Sequence, residues 1–193
     1  MNLVIVDYKA GNVQSVLFAL ERLGVQATLS SDFETIKAAD KVIFPGVGEA
    51  SSAMAQLRAQ NLDKLLPELQ QPFFGVCLGM QLLCQHSEEG ETDLLGIIPL
   101  SVKRFETELK VPHMGWNQLE SLNSPLFAGL PEQEFVYYVH SYYVPLSAYT
   151  IAQTNYPDPF SAALQYKNFY AAQFHPEKSG PAGAQILKNF LAL

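Results

Sequence analysis

The stretch Phe73 to Gln81, reading FFGVCLGMQ, constrains this chain more than any other. An apolar run that ends in Gly75-Val76-Cys77-Leu78-Gly79 is the pattern of a buried strand turning sharply into a helix with one nucleophile at the apex. The glycines suit such a turn because it needs either positive φ or a backbone approach that a Cβ would obstruct. In the serine version of this elbow, the backbone N–H of the residue after the nucleophile serves the oxyanion hole. Here that residue is Leu78.

The sequence before the elbow alternates strand and helix. Leu3 to Val6 reads as a strand, and Asn12 to Leu23 places Val13, Val16, Leu17, Leu20 and Leu23 at helical spacing before Gly24 stops the helix. Val25 to Leu29 and Lys41 to Phe44 read as further strands, with a short helix over Phe33 to Ala39 between them. Pro45-Gly46-Val47-Gly48 is expected to end the third strand in a turn, and two helical segments, Ser51 to Ala59 and Leu62 to Leu69, lead to a fourth strand over Pro72 to Val76. This alternation predicts an α/β fold, a mostly parallel sheet with helices on both faces. Ligands collect outside the carboxyl ends of such strands, so the turns at Asn12, Val47 and Cys77 should line one cleft.

After Gly90 the pattern becomes β-rich. Ile97 to Phe105, Gly115 to Leu122, Phe135 to Val144, Tyr149 to Thr154 and Ala162 to Gln165 read as strands, which we take as a mainly antiparallel extension of the sheet because no linker-like composition intervenes. Tyr170 to Phe174 is the last strand, and Ser179-Gly180-Pro181 reads as the cap and first turn of a final helix through Leu191. The expectation is one domain over residues 1–193.

The net charge of −7 argues against nucleic acid as a partner, which would call for a basic stripe. No apolar run approaches the roughly 18 residues a membrane span needs, and MNLVIVDYKAGN lacks the basic region and cleavage site of a signal peptide. A cytoplasmic location is expected. Hydrophobic residues at 48% against 16% charged leave more apolar surface than average, which suggests an interface. If Cys77 and Cys84 share the helix after the elbow, their Cα atoms lie about 10.5 Å apart, beyond the roughly 7 Å limit for a disulfide. Both should be free thiols, Cys84 in a packing role.

A cysteine nucleophile needs a base, and the base needs an orienting acceptor. Of the four histidines, His86 falls near the C-terminus of the expected elbow helix, the place of a solvated dipole partner. His113 and His140 sit in expected turns, with binding or packing roles open. His175 differs. It ends the last strand in Gln173-Phe174-His175-Pro176-Glu177, and in an extended stretch residues i and i+2 share a side, so Glu177 can reach the imidazole. Cys77, His175 and Glu177 thus form a nucleophile, base and orienter set. Val47, with glycine on both sides, is a natural second oxyanion donor beside Leu78, although Pro45-Gly46 could also simply make a tight turn.

These residues resemble the class I, or triad-type, glutamine amidotransferases. The similarity runs through Gly11-Asn12, Pro45 to Gly48, Gly75 to Gln81, Pro112-His113-Met114-Gly115-Trp116-Asn117, Val139 to Tyr142 and Phe174 to Ser179. PHMGWN and PGVG narrow it to the branch that supplies ammonia in imidazole glycerol phosphate synthesis, within histidine biosynthesis. The resemblance implies that Cys77 attacks the side-chain amide of L-glutamine, with His175 moving protons and Leu78 and Val47 as backbone donors. It further implies that Gln81 and Glu89, with His140, Ser141 and Tyr142, hold the α-carboxylate and α-amino ends of the substrate. Gln81 does lie one helical turn beyond Cys77. Glu89 suits an ammonium group, but it also belongs to the acidic run Glu88-Glu89-Gly90-Glu91, where charges are usually solvated.

The implied chemistry uses no cofactor and no metal. The implied partner is a (β/α)₈-barrel cyclase subunit, contacted at or near Asn12, Met114, Trp116 and Lys178, and Trp116 suits a hot spot or a core position. Beyond Tyr143 the resemblance assigns nothing. Two other readings compete: a stand-alone cysteine hydrolase, and a non-catalytic scaffold subunit. In the α/β-hydrolase order the acid precedes the histidine, whereas here Glu177 follows it.

Overall fold

A computed structural model describes residues 1–9 and 13–193. The first half alternates as expected: β1 (Leu3–Val6), α1 (Val13–Arg22), β2 (Thr28–Ser30), α2 (Phe33–Lys37), β3 (Lys41–Gly46), α3 (Ala50–Ala59), α4 (Leu62–Leu65), then β4 (Phe73–Cys77) and α5 (Leu78–Leu82). Two short strands follow, β5 (His86–Ser87) and β6 (Thr92–Asp93), and then β7 (Ser101–Arg104), β8 (His113–Gln118), β9 (Phe135–His140) and β10 (Tyr142–Tyr143). β11 (Thr150–Asn155), β12 (Pro159–Tyr166), β13 (Phe169–Ala172) and α6 (Gly180–Ala192) complete the chain.

Among the described residues the main sheet has seven strands in the order β11-β12-β13-β4-β3-β1-β2. β13, β4, β3, β1 and β2 run parallel, and β11 and β12 add an antiparallel edge. Because both faces are covered, the inner strands β1, β3 and β4 are buried along their whole length, and their period-2 alternation feeds two separate cores. Val4, Val42, Phe44 and Phe73 pack into one, while Leu3, Ile5, Ile43 and Phe74 pack into the other. On the first face Phe44, Phe73 and Phe169 form a ladder of rings 5.6 and 5.2 Å apart. On the second, Phe74 stacks on Phe190 of α6 at 5.1 Å.

The β-rich region is not one continuous extension of the sheet. Only β11 and β12 extend the main sheet; β10, β7, β5 and β6 form a four-stranded sheet, and β8 pairs with β9 as a separate ribbon. The expected continuous strand over Phe135 to Val144 breaks at Ser141, so that β9 pairs with β8 and β10 pairs with β7. His113, expected in a turn, opens β8, and His140 ends β9 at the break.

The elbow helix is also shorter than expected. It ends at Leu82 because the segment Leu94 to Ile98 arrives to satisfy the carbonyls at its end: Leu95 N–H bonds Leu82 O at 3.0 Å, Ile98 N–H bonds Leu83 O at 2.8 Å, and Gly96 N–H bonds Cys84 O at 2.8 Å. Cys84 therefore lies past the helix, and His86 opens β5. Pro45 and Gly46 complete β3 instead of forming a turn, and the second strand sits at Thr28–Ser30, later than Val25 to Leu29.

Candidate active site

The sheet order builds the site. β4 lies between β3 and β13, and its last residue, Cys77, is in register with Gly46 at the end of β3. Val47 follows on one side, and the chain leaving β13 delivers Gln173 and His175 on the other. Three strand ends thus converge at the carboxyl edge of the sheet, as expected for an α/β fold.

The strain of the elbow falls on Cys77 itself, which has φ +54° and ψ −112°. A non-glycine residue held there costs about 1–3 kcal/mol and persists only where its surroundings fix it. Here the glycines serve close approach, not positive φ. A Cβ on Gly79 would stand 2.1 Å from the carbonyl oxygen of Phe44, one on Gly46 would stand 2.5 Å from Gly79 N, and one on Gly75 2.9 Å from Gly79 O. Three glycines let β3, β4 and α5 touch backbone to backbone. Tyr8, fully buried, ties the same place down by donating its hydroxyl to Pro45 O at 2.9 Å.

His175 is 2% exposed, and its Nδ1 lies 2.8 Å from Oε1 of Glu177, itself buried. This reach is not made by an extended chain with residues i and i+2 on one side. Pro176–Lys178 forms a 3₁₀ turn that brings the carboxylate back under the ring. The backbone of His175 is pinned by its N–H to Tyr137 O at 2.9 Å and by its carbonyl, which accepts from Ser179 Oγ at 2.6 Å. Ser179 stands at the start of α6 but makes no side-chain cap. Burial alone would lower the imidazole's pKa, but Cys77 and Glu177 on its two sides outweigh it and push the ring up to about 9. Nε2 is buried without a hydrogen-bond partner among the described residues, on the side of the ring away from Glu177, where it can exchange a proton with the thiol. Cys84, by contrast, is pushed up to about 12 by burial and stays an inert thiol.

Cys77 opens onto a cavity of about 310 Å³ lined by Val47, Gly48, Leu78, Gln81, Glu89, Pro112, Val139, His140, Ser141, Tyr142 and His175. Every residue singled out for the triad, oxyanion hole or substrate borders this space, except Glu177, which sits behind His175. Leu78 is the first residue of α5, so its N–H has no intrahelical acceptor. Gln81 donates from Nε2 to Tyr142 O at 3.0 Å and to Gln173 Oε1 at 2.9 Å. Glu89 is half-buried, and its Oε2 accepts from Ala50 N–H at 2.8 Å, capping α3 from a distant loop. Burial raises its carboxyl above the usual range, against the pull of Ala50 N–H. The imidazole of His140 is committed to Tyr142 O and to His113, so the backbone is what it offers the cavity.

Gln173 belongs to this site although no motif in the sequence singles it out. It is fully buried, and its Nε2 lies 3.8 Å from Cys77 Sγ. The one signal available for it is its position two residues before His175, on the same face of an extended chain.

On the outside of the β8–β9 ribbon, Met114 is 54% exposed and Trp116 55%, with Phe135 beside them. Trp116 is thus a surface residue, edge-on to Tyr137, whose ring also lies 5.9 Å from Lys178 Nζ. Asn12 lies outside the described residues.

The family described as glutamine amidotransferase class-I matches residues 4–193. The chain is 58% identical over 196 residues to the imidazole glycerol phosphate synthase subunit HisH of Bacteroides fragilis (strain YCH46), covering the whole of both chains. It is 47% identical over 195 residues to the protein of the same name from Idiomarina loihiensis, covering 100% of this chain and 98% of that one. Among solved structures, one described as a glutamine amidotransferase superposes with a TM-score of 0.77 at 21% identity, covering 98% of this chain and 97% of the other. PurLQS from Thermotoga maritima superposes at 0.75 with 14% identity, covering 99% and 97%. At those identities the likeness is one of fold. Full-length similarity and a Cys-His-Glu arrangement at the strand ends agree: the chain belongs to the class-I glutamine amidotransferases.

Proposed function

We infer that this chain is the glutaminase subunit of an imidazole glycerol phosphate synthase, hydrolysing L-glutamine and passing ammonia to a (β/α)₈-barrel cyclase subunit in histidine biosynthesis. The observation that carries the reading is the buried His175–Glu177 pair beside Cys77, at the wall of a cavity of amino-acid size.

The chemistry follows from the geometry. With its thiol proton already held on Nε2 of His175, Cys77 Sγ attacks the side-chain amide carbon of glutamine. The oxygen of the tetrahedral intermediate is held by the N–H groups of Leu78 and Val47, and loss of one such donor typically costs about 10²–10³-fold in rate. His175 returns the proton to the leaving nitrogen, ammonia departs and a γ-glutamyl thioester remains. Water, activated by the same imidazole, then releases glutamate and restores the thiol. Glu177 keeps the ring in the Nδ1–H tautomer and stabilises its charge. Gln81 and Glu89, with the backbone of His140, Ser141 and Tyr142, hold the two charged ends of the substrate.

Ammonia released into water would be protonated, so the product must be handed over in an enclosed space. The apolar strip of Met114 and Trp116, with Lys178 beside it, is the surface we assign to the cyclase. Glycine on both sides of Val47 leaves its peptide free to present or withhold the N–H, so glutaminase activity is expected to stay low until the cyclase and its nucleotide substrate are bound. Two free thiols fit a reducing cytoplasm; among the described residues no helix is long and apolar enough to cross a membrane. The test is a glutaminase assay of this chain alone, with the cyclase, and with cyclase plus nucleotide. Full turnover by the isolated chain would contradict the activation.

A further inference from the structure

Two histidines outside the triad, His113 and His140, stand opposite each other across the β8–β9 ribbon. Both are buried, and all four ring nitrogens belong to one line of hydrogen bonds. His140 Nδ1 lies 2.8 Å from Tyr142 O, which can only accept, so Nδ1 carries a proton. In the neutral ring His140 Nε2 then accepts, and its partner at 2.9 Å, His113 Nδ1, donates. His113 Nε2 accepts in turn from Asn117 Nδ2 at 3.2 Å. A further proton on either ring would set one N–H against another, so the line admits a single arrangement with both rings neutral.

The surroundings enforce it. His113 is stacked on Tyr156 at 4.0 Å and on Tyr138 at 4.8 Å, and Phe105 and Phe160 close around both rings. Burial brings His113 down to about 4. Burial likewise brings His140 down to about 3, against the pull of the Tyr142 carbonyl, and His113 and His175 lower it further.

The line ends in the cavity. Tyr142 O accepts from His140 Nδ1 and also from Gln81 Nε2, whose second proton goes to Gln173 Oε1. Both amide protons of Gln81 are thereby used, and its Oε1 takes part in no hydrogen bond among the described residues. We propose that His113 is a positioning residue for glutamine recognition: it fixes the neutral, Nδ1-protonated form of His140, which holds the Tyr142 carbonyl in place to orient Gln81 with Oε1 as the acceptor for the substrate's ammonium group. The inference rests on reading the cavity as the glutamine site.

The test is steady-state glutaminase kinetics of the complex with the cyclase and its nucleotide. His113→Phe keeps the stacked ring but removes both nitrogens; it should raise KM for glutamine about tenfold with kcat within about threefold. His113→Asn retains a donor near the Nδ1 position and should bring KM back to within about threefold of the unsubstituted enzyme. An unchanged KM in His113→Phe, or a loss in His113→Asn as large as in His113→Phe, overturns the proposal. An unsubstituted complex that hydrolyses no glutamine would instead overturn the functional reading beneath it. Should His113→Phe fail to fold, ¹⁵N NMR of the imidazoles in the unsubstituted chain decides. Both rings should be neutral and Nδ1-protonated at about pH 6; an Nε2–H on His140, or an imidazolium at either position, overturns the assignment.

Discussion

Oε1 of Glu177 lies 2.8 Å from Nδ1 of His175, and both side chains are almost fully removed from solvent. A buried carboxylate at that distance fixes which nitrogen of the ring faces Cys77. Glu177→Gln preserves shape while removing the charge, and kcat/KM for glutamine should fall by about 10²-fold or more. The pKa of the His175 ring should drop as well, since one of the two groups that raise it is gone. A pH–rate profile of the variant complex checks both.

The histidines also shape stability against pH, with opposite signs. His175 is raised to about 9, so its contribution is fully present below its unfolded value near 6.5 and is lost as pH rises through about 9. His113 is lowered to about 4 and His140 to about 3, so theirs is present above about 6.5 and is lost as pH falls toward those values. Urea midpoints should therefore peak near neutrality and decline on both sides. His175→Ala should flatten the alkaline limb only.

Close packing at the elbow gives a sharper stability prediction. Gly79→Ala sets a methyl group 2.1 Å from Phe44 O, a backbone atom that cannot move without displacing β3. The loss should reach about 3 kcal/mol or prevent folding, the upper end for overpacking. Denaturant midpoints measure it.

Trp116 separates docking from folding. With 55% of its surface exposed, its removal leaves no cavity. Trp116→Ala should leave the stability read from urea unfolding within about 0.5 kcal/mol. It should weaken binding to the cyclase by about 2 kcal/mol, roughly 30-fold, as read by calorimetry.

Whatever depends on local pattern is legible in the sequence. The alternating apolar runs predict the parallel sheet, and two short motifs predict that Cys77, His175 and Glu177 meet, because strand ends in such a sheet share one edge. What is not legible depends on partners far apart in the chain. The elbow helix stops at Leu82 because a later segment takes its carbonyls, and Phe135 to Val144 breaks because its two halves pair with different strands. The roles of Gln173 and His113 arise from hydrogen bonds across 96 and 27 residues, beyond the reach of any periodicity.

The most direct test of the elbow's role is Cys77→Ala in complex with the cyclase, assayed for synthesis from glutamine and from added ammonium. Glutamine-dependent synthesis should vanish while ammonium-dependent synthesis stays at the level of the unsubstituted complex. Persistence of the first would contradict Cys77 as the nucleophile, and loss of both would assign the elbow to folding or docking instead of chemistry.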